Sequence, residues 1–382
     1  MLEKILLSPY YLILRLRHAM YDRGLMKVKG CEVPTICVGN IAAGGTGKTP
    51  HVEMILNTLL SESNWPYNHV AVLSRGHKRS SKGFQQVTSE GTAAFCGDEP
   101  LQIKKKFPSV TVAVDKNRIE GCDFLAHPDK LSSSKQGRGC RDKEMPPADL
   151  IVLDDAFQYR KLKAYFNIVL VDYNRPPDKD NLLPFGRLRD LPMRLDYADI
   201  VIVTKCPVYL DEVEREASVF SLGISDFDHT TCTGTNKIGK KVTVLFTSIN
   251  YCPLKKIFEE GEQRFVYSKK LILFSGIAKD APLRRFLSDS YTIVRHFNFA
   301  DHHKYSNSDI QHIMLAARLY QTAVIATTEK DTQRLLDNKH IPDELKRRLF
   351  QVPIEVAFLT PEENAIFETT LLGALKNFKV DY

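Results

Sequence analysis

The sequence predicts an α/β protein built on a parallel sheet, with a second, smaller α/β unit further along the chain. Three observations predict it. Short β-branched runs recur between helical stretches, those runs are continuously apolar rather than alternating, and one of them feeds a glycine-rich loop that ends in Lys-Thr-Pro. Strands covered by helices on both faces read as unbroken apolar runs. Their alternation with helical stretches builds layered α/β folds.

The bulk numbers agree with this class. A chain of 382 residues is long enough for two ordinary domains, since single cores stop growing near ~250–300 residues. With 43% hydrophobic and 26% charged residues the composition is globular rather than disordered or fibrous. The net charge of +7, from 53 Lys and Arg against 46 Asp and Glu, suits an anionic partner such as a nucleotide, phospholipid or phosphosugar, and a solvated basic surface explains it equally well. No nucleic-acid partner is expected. The eight cysteines, at 31, 37, 96, 122, 140, 206, 232 and 252, include no C-x-x-C pair. Scattered reduced thiols are expected, without a zinc site.

Residues 1–30, "MLEKILLSPYYLILRLRHAMYDRGLMKVKG", form a unit of their own. The apolar run from Ile5 to Leu14 is ten residues long and contains Pro9, whereas a spanning helix needs ~20 apolar residues. Arg15, Arg17 and His18 follow it without a small-residue cleavage site, so it is not a signal peptide. The segment reads as interfacial, with Leu and Tyr side chains at headgroup depth and Arg15, Arg17, Arg23, Lys27 and Lys29 near anionic lipid. A first helix packed on the protein's own core is the other reading.

The strand series follows: "PTICVGN" at 34–40, "HVAVLS" at 69–74, "VTVAVD" at 110–115, "DLIVLDD" at 149–155 and "NIVLVD" at 167–172. These define a core domain over 31–172. Within it, 126–147 is polar, rich in Ser, Lys, Gly and Pro, and reads as a surface insertion. "YNRPPDKDNLLPFG" at 173–186 carries three prolines and reads as a crossing between domains. "DIVIVTK" at 199–205, "KLILFSGIA" at 270–278, "TIVRHF" at 292–297 and "AVIATTEKD" at 323–331 then define a smaller C-terminal domain over 173–382, its tail expected back on the core. No internal repeat is visible.

The chemistry starts at "NIAAGGTGKTPHVE", residues 40–53. A strand ending at Gly39 and a helix starting near Pro50 place Ala42, Ala43, Gly44, Gly45, Thr46, Gly47, Lys48 and Thr49 in the connecting loop. Backbone N–H groups of such a loop, backed by a helix N-terminus, bind polyphosphate. Lys48 reaches the β- and γ-phosphates and the Thr49 hydroxyl holds Mg²⁺. Pro50 suits a first helical position, whose N–H is unpaired in any case. Ala42 stands where the G-x-x-x-x-G-K-[ST] pattern has glycine, which matters only if that position needs φ > 0.

A phosphate loop needs an acidic partner at the end of a neighbouring strand, and "DLIVLDDAFQ" supplies Asp154 and Asp155 for the Mg²⁺ shell. "CGDEPLQI" puts Asp98 and Glu99 at a helix start, where acids either complement the helix dipole or act as a base or metal contact. Arg118 follows a strand end and is either a phosphate clamp or a surface ion pair. Arg187, Arg189 and Asp190 sit together in "LLPFGRLRDL", a bidentate cation set at the expected domain junction. In "FADHHKYSNSDI" two adjacent histidines cannot face one metal from a regular element, so a carboxylate-oriented histidine in proton transfer is the better reading. "TTEKDTQRL" reads as a capped helix start, and the basic "SRGHKRSSKG" at 74–83 as a solvated loop or an anion contact.

Taken in order, "VGNIAAGGTGKTP", "LSRGHKRSSKGF", "GDEPLQI", "DDAFQ", "LLPFGRLRD", "GIAK", "DHHKY" and "TTEKD" resemble the tetraacyldisaccharide 4'-kinase family, the membrane-associated lipid A kinases of Gram-negative bacteria. The resemblance covers residues 5–335. It implies a P-loop NTPase-like α/β/α sandwich and a second, smaller α/β/α domain, joined by a short β hinge, with ATP between them. It implies transfer of the ATP γ-phosphate to the 4'-hydroxyl of an acylated glucosamine disaccharide 1-phosphate. It places the protein peripherally on the cytoplasmic face of the inner membrane, without spanning it. By position it makes Lys48 and Thr49 the loop pair, Asp154 and Asp155 the Walker B acids, Asp98 with His302 the base pair, and Arg118 and Arg189 the phosphate cations. Asp190 is a further expected Mg²⁺ contact. Two departures stand out: Ala156 replaces a usual glycine, and "LREP" is here "LRDL", which shortens the acid at 190 by a methylene. A phosphate-loop kinase or ligase acting on a soluble metabolite is the rival reading, against which the N-terminal apolar and basic segment argues. A nucleotide-switch or metallochaperone module is a second rival, disfavoured because there is neither N-K-x-D nor a Cys/His cluster.

Overall fold

The computed structural model describes residues 2–61, 67–133 and 145–379. Helix α1 (Leu2–Asp22) precedes strand β1 (Thr35–Gly39), α2 (Lys48–Ser61), β2 (Val70–Ser74) and β3 (Gln85–Val87). The short α3 (Ala93–Cys96), α4 (Asp98–Lys106), β4 (Thr111–Val114), α5 (Arg118–Ala126) and α6 (Lys130–Ser133) follow, then β5 (Leu150–Asp154), β6 (Phe166–Asp172) and β7 (Ile200–Thr204). After α7 (Glu212–Ser221), β8 (Ser225–Asp228) and β9 (Thr233–Thr235) comes the long β10 (Lys241–Tyr251). These strands form one sheet in the order β3-β4-β2-β5-β1-β6-β7-β10-β9-β8. From β4 through β10 every neighbour is parallel. The pentapeptide strands β1, β2, β5 and β7 are buried along their whole length, which is why they read as unbroken apolar runs.

A second sheet holds β11 (Lys255–Lys256), β12 (Lys270–Ser275), β13 (Thr292–Asn298), β14 (Val324–Thr328) and β15 (Leu349–Val352) in the order β11-β15-β14-β12-β13. Helices α8 (Ala281–Ser288), α9 (Asn307–Leu319), α10 (Glu329–Leu335) and α11 (Asp343–Lys346) lie between these strands in sequence. The chain then returns through β16 (Ile354–Phe358), antiparallel to β10 over five residue pairs, and ends in α12 (Pro361–Lys376). Two strands thus carry the chain out of the first sheet and back. Phe367, Leu371 and Leu375 of α12 are fully buried with Val52, Ile55, Leu56 and Leu59 of α2, so the C-terminal helix completes the first domain's core.

This topology moves the expected domain boundary. The Pro-rich 173–186 segment does not cross to the second domain: it leads from β6 back to β7, which pairs parallel beside it. β7 and the eleven-residue β10 belong to the first sheet, and the second sheet begins at Lys255, not at 173. A proline cluster interrupts strand pairing locally but says nothing about which sheet the next strand joins. Of the expected surface insertion, α6 occupies 130–133, and its central part lies outside the described residues.

The alternative reading of the N-terminus, a first helix packed on the protein's own core, describes one face of α1. Leu14, His18 and Tyr21, spaced four and three apart, are buried, as one face of a helix requires. Tyr11, Leu12, Ile13 and Leu16 on the remaining surface stay 41–64% exposed. No described helix is long and apolar enough to cross a membrane.

Candidate active site

The glycine-rich loop lies between β1 and α2 at the C-terminal edge of the parallel sheet. Gly44 and Gly47 have φ of 109° and 87°, which is why those positions are glycine. Ala42 has no positive φ and sits instead in a short antiparallel bridge with Leu188, so a side chain there is unstrained. Helix α2 starts at Lys48, two residues before the expected start, and Pro50 is its third residue. Its missing N–H is still one of the first-turn groups without an intrahelical acceptor.

Neighbouring elements fasten the loop. Asn40 donates to Thr46 Oγ1 at 2.8 Å, and Thr204 at the end of β7 donates to the Thr46 carbonyl at 3.0 Å. Lys205 Nζ donates to the Gly45 carbonyl and to Asp172 at 2.7 Å. His51, fully buried on α2, lies 2.7 Å from the Gly47 carbonyl through Nδ1 and 3.0 Å from Thr247 Oγ1 through Nε2. A carbonyl only accepts, so Nδ1 carries the proton and Nε2 accepts from the threonine. Burial pushes this imidazole down to about 4, and it is neutral at pH 7.

Asp154 and Asp155 end β5 beside the loop. Lys48 Nζ stands 3.7 Å from Asp155, and Arg189 binds the same carboxylate at 2.9 Å. Burial would raise the Asp155 carboxyl, but Lys48 and Arg189 outweigh it and hold it below its ordinary value. Asp154 accepts from Ser74 at 2.9 Å through one oxygen, while its buried Oδ1 has no partner. Burial, then the charges of Glu99 and Asp155, push Asp154 up to about 7 despite Lys48. An unpartnered buried carboxylate oxygen beside a helix start that carries Thr49 as its second residue fits a hard divalent cation, since Mg²⁺ takes one or two carboxylates and keeps its other positions for water and phosphate.

Arg118, the first residue of α5, is 2% exposed. Its guanidinium donates to the Asp115 carbonyl and to the Asp154 carbonyl at 3.4 Å. It is therefore a buried cation behind the acid strand, not a surface ion pair. Asp190 is a correction. Expected at the metal, it is 1% exposed and accepts from His18 of α1 at 2.5 Å and from the Leu191 N–H at 2.8 Å. The shorter aspartate is committed to α1 rather than to the loop.

The second sheet delivers the remaining groups. Asp98, first residue of α4 and 6% exposed, receives His302 Nδ1 at 3.2 Å and Arg334 Nε and Nη2 at 2.8 and 2.6 Å, all on Oδ2. Burial alone would raise its carboxyl; His302, Lys330 and Arg334 together hold it well below the usual carboxylate range. The Asp98 side chain thus does more than complement a helix dipole. His302 has φ of 63° and its N–H donates to the Gly276 carbonyl at 3.2 Å. Its ring centroid lies 5.4 Å from that of His77 in the basic loop, which is therefore part of the site. His303 turns away, stacking on Phe299 and meeting Asp309 at 3.0 Å. The described residues hold no group of three or more His, Cys, Asp or Glu arranged for a metal.

Arg334 and Lys330 escape motif reading. They lie on α10, whose start is capped by Thr328 as expected, yet Lys330 pairs with Glu99 at 2.9 Å and Arg334 also holds Asp331 and the Gly276 carbonyl at 3.0 Å. Asp337, just beyond, accepts from the Ala93 and Ala94 N–H groups of α3 at 2.9 and 2.8 Å. Arg334 and Asp331 at i, i+3 share a helix face, which was the available signal. Their partners on α4 were not readable.

A lysine–threonine phosphate loop, acids on the adjacent strand and a carboxylate–histidine pair brought in by a second domain define a phosphate-loop kinase. The sequence comparisons make the class specific. The Tetraacyldisaccharide-1-P 4'-kinase family model matches residues 3–376, and the chain belongs to that family. It is 34% identical to the tetraacyldisaccharide 4'-kinase of Bacteroides thetaiotaomicron over 96% of this chain and 91% of that protein. It is 36% identical to that of Phocaeicola vulgatus over 91% of this chain and 88% of that protein. The crystal structure of LpxK from Aquifex aeolicus in complex with ATP superposes with a TM-score of 0.66 at 25% identity, covering 97% of this chain and 99% of that one.

Proposed function

We propose that this kinase transfers the γ-phosphate of ATP to the 4'-hydroxyl of an acylated glucosamine disaccharide 1-phosphate, in lipid A biosynthesis at the cytoplasmic face of the bacterial inner membrane. The observation that carries the reading is the Asp98–His302 pair, built from both domains on the same edge as the phosphate loop. Glu99 stands next to Asp98, and its charge reaches Asp154. On this reading the pair receives the hydroxyl acceptor and the loop holds the phosphate donor.

Each residue then has a role that its surroundings support. Lys48 and the loop N–H groups bind the β- and γ-phosphates, with Arg189 and the buried Arg118 adding positive charge. Thr49, Asp154 and Asp155 would hold Mg²⁺, which when bound neutralises charge developing on the phosphate oxygens. Asp98 is kept ionised by three donors on one oxygen, so it is a weak proton acceptor and a strong stabiliser of a protonated partner. His302, with Nδ1 toward Asp98, has Nε2 to take the hydroxyl proton, and Asp98 stabilises the resulting imidazolium. Phosphoryl transfer needs alignment and charge stabilisation more than covalent help, which is what this set supplies.

The exposed apolar side chains of α1 at 11, 12, 13 and 16, with Arg15, Arg17 and Arg23 nearby in sequence, support a peripheral seat on anionic lipid. The test is ³²P transfer from γ-labelled ATP to acylated disaccharide 1-phosphate, with Lys48→Ala as control. Labelled lipid, lost in the control, is expected. Free phosphate release without acceptor labelling would overturn the assignment.

A further inference from the structure

The phosphate loop is held from outside by the stretch 187–190. The Ala43 N–H donates to the Arg187 carbonyl at 2.6 Å, and the Arg189 and Asp190 N–H groups donate to the Ile41 carbonyl at 2.8 and 3.2 Å. From this stretch the Arg189 guanidinium reaches Asn40 and Asp155. Its neighbour Asp190 points the other way, into α1, and ends on His18 at 2.5 Å with both side chains at most 2% exposed. Arg160 Nη1 lies 3.0 Å from His18 Nδ1. Guanidinium is only a donor, so Nδ1 accepts and Nε2 carries the proton given to Asp190. A buried carboxylate without such a donor is strongly disfavoured. Its second oxygen has no hydrogen-bond partner, the Arg194 Nε standing 3.9 Å from it as an ion pair only.

We infer that His18 is a positioning residue of the ATP site. It acts through Asp190 to fix residues 187–190, and thereby holds Arg189 against the phosphate loop. Helix α1 is on this account a structural part of the nucleotide site as well as a surface element. Its buried face, at 14, 18 and 21, is separate from the exposed residues at 11, 12, 13 and 16. The inference rests on the ATP site proposed above.

The test is equilibrium binding of a fluorescent ATP analogue to full-length protein in detergent, with KM for ATP, kcat and flotation on anionic vesicles measured alongside. Loss of analogue binding in Lys48→Ala establishes the site itself in the same assay, and retained binding there would count against the site reading rather than against His18. His18→Ala is expected to weaken ATP binding by about tenfold, the scale of a lost hydrogen bond to a charged group, with KM raised more than kcat falls and with flotation unchanged. His18→Gln, which keeps a side-chain N–H donor, is expected to recover part of the affinity. His18→Gln also serves if the alanine variant does not fold. Combined with Arg189→Ala, either His18 substitution is expected to add little further loss, because both act on one contact. Wild-type ATP affinity in both His18 variants, or losses that add fully to that of Arg189→Ala, would overturn the inference. Reduced flotation with unchanged ATP affinity would do so as well.

Discussion

His51 gives the most quantitative test of the phosphate-loop geometry. It is fully buried, bonded to Gly47 in the loop and to Thr247 on β10, and burial lowers it to about 4. In the unfolded chain a histidine titrates near 6.5. Between those values the unfolded state binds more protons than the native one, so stability rises with pH across this window and is lost as pH falls from about 6.5 toward about 4. One proton gives a limiting slope of ~1.36 kcal/mol per pH unit. From pH 7.5 to 5.5 the loss attributable to His51 is about 1.3 kcal/mol. His51→Asn keeps a donor near the Gly47 carbonyl and has nothing to titrate. Urea unfolding followed by far-UV circular dichroism, at both pH values and in the same detergent, isolates the term as a difference between wild type and variant, because all other groups are common to both. The advantage of wild type over variant should shrink by about 1.3 kcal/mol at the lower pH. An advantage independent of pH would refute the buried neutral imidazole, and with it the derived tautomer.

Three further outcomes follow from the same contacts. Asp98→Asn should lower kcat by ~10²–10⁴-fold, the usual worth of positioned proton transfer, and leave equilibrium ATP binding within about twofold of wild type, since the phosphate loop does not include it. Phe367→Ala removes a ring that is fully buried and lies 5.1 Å from that of Phe358; unfolding by urea should register a loss of roughly 3–5 kcal/mol. Ala42→Gly restores the usual loop pattern yet should bring no gain in ATP affinity. It should lower stability by roughly 0.5–1 kcal/mol, because glycine loses more backbone freedom in a bridged conformation, and the measured KM for ATP together with thermal unfolding checks both halves.

The legible parts of the fold were those decided locally. β1, β2, β4, β5, β6 and β7 stand within a residue or two of the apolar runs that predicted them, because burial on both faces leaves no polar position to break the pattern. The observed domain boundary differs from the expected one because the prolines of 173–186 end a strand but do not choose the next strand's neighbour. β10, in which Val242 through Ser248 are all buried, lies beyond the expected boundary, and nothing local in its sequence tells which sheet it joins.

In the proposed site, Lys48, Thr49, Asp154 and Asp155 belong to contiguous motifs that can be read locally. The pairing of Asp98 with His302 rests on resemblance to a family, because their contact spans 204 residues. Arg334 meets Asp98 across 236 residues and His18 meets Asp190 across 172. Such pairs are created by the packing of one element on another and have no local signature. The aspartate in "LRDL" shows the converse error, since a motif position suggested a metal ligand where tertiary packing had already given the side chain a partner.

The proposed site is divided between the sheets, with the loop's anchors in one domain and most groups around Asp98 in the other. Every anchor of the phosphate loop that the hydrogen bonds identify, Asn40, Thr204, Lys205, His51 with Thr247, and the 187–190 stretch, belongs to the first domain. The groups that set the state of Asp98, namely His302, Lys330 and Arg334, belong to the second. Substitutions in the second domain should therefore act on kcat at nearly constant ATP affinity, whereas those along the chain from α1 to Arg189 should act on ATP affinity first. The β10–β16 pair joins the two halves, and β10 carries Thr247 against His51 while β16 pairs Phe358 with that same Thr247. This strand pair linking the domains is thus hydrogen-bonded to the helix that ends the phosphate loop, so the loop and the base pair are referenced to a common backbone.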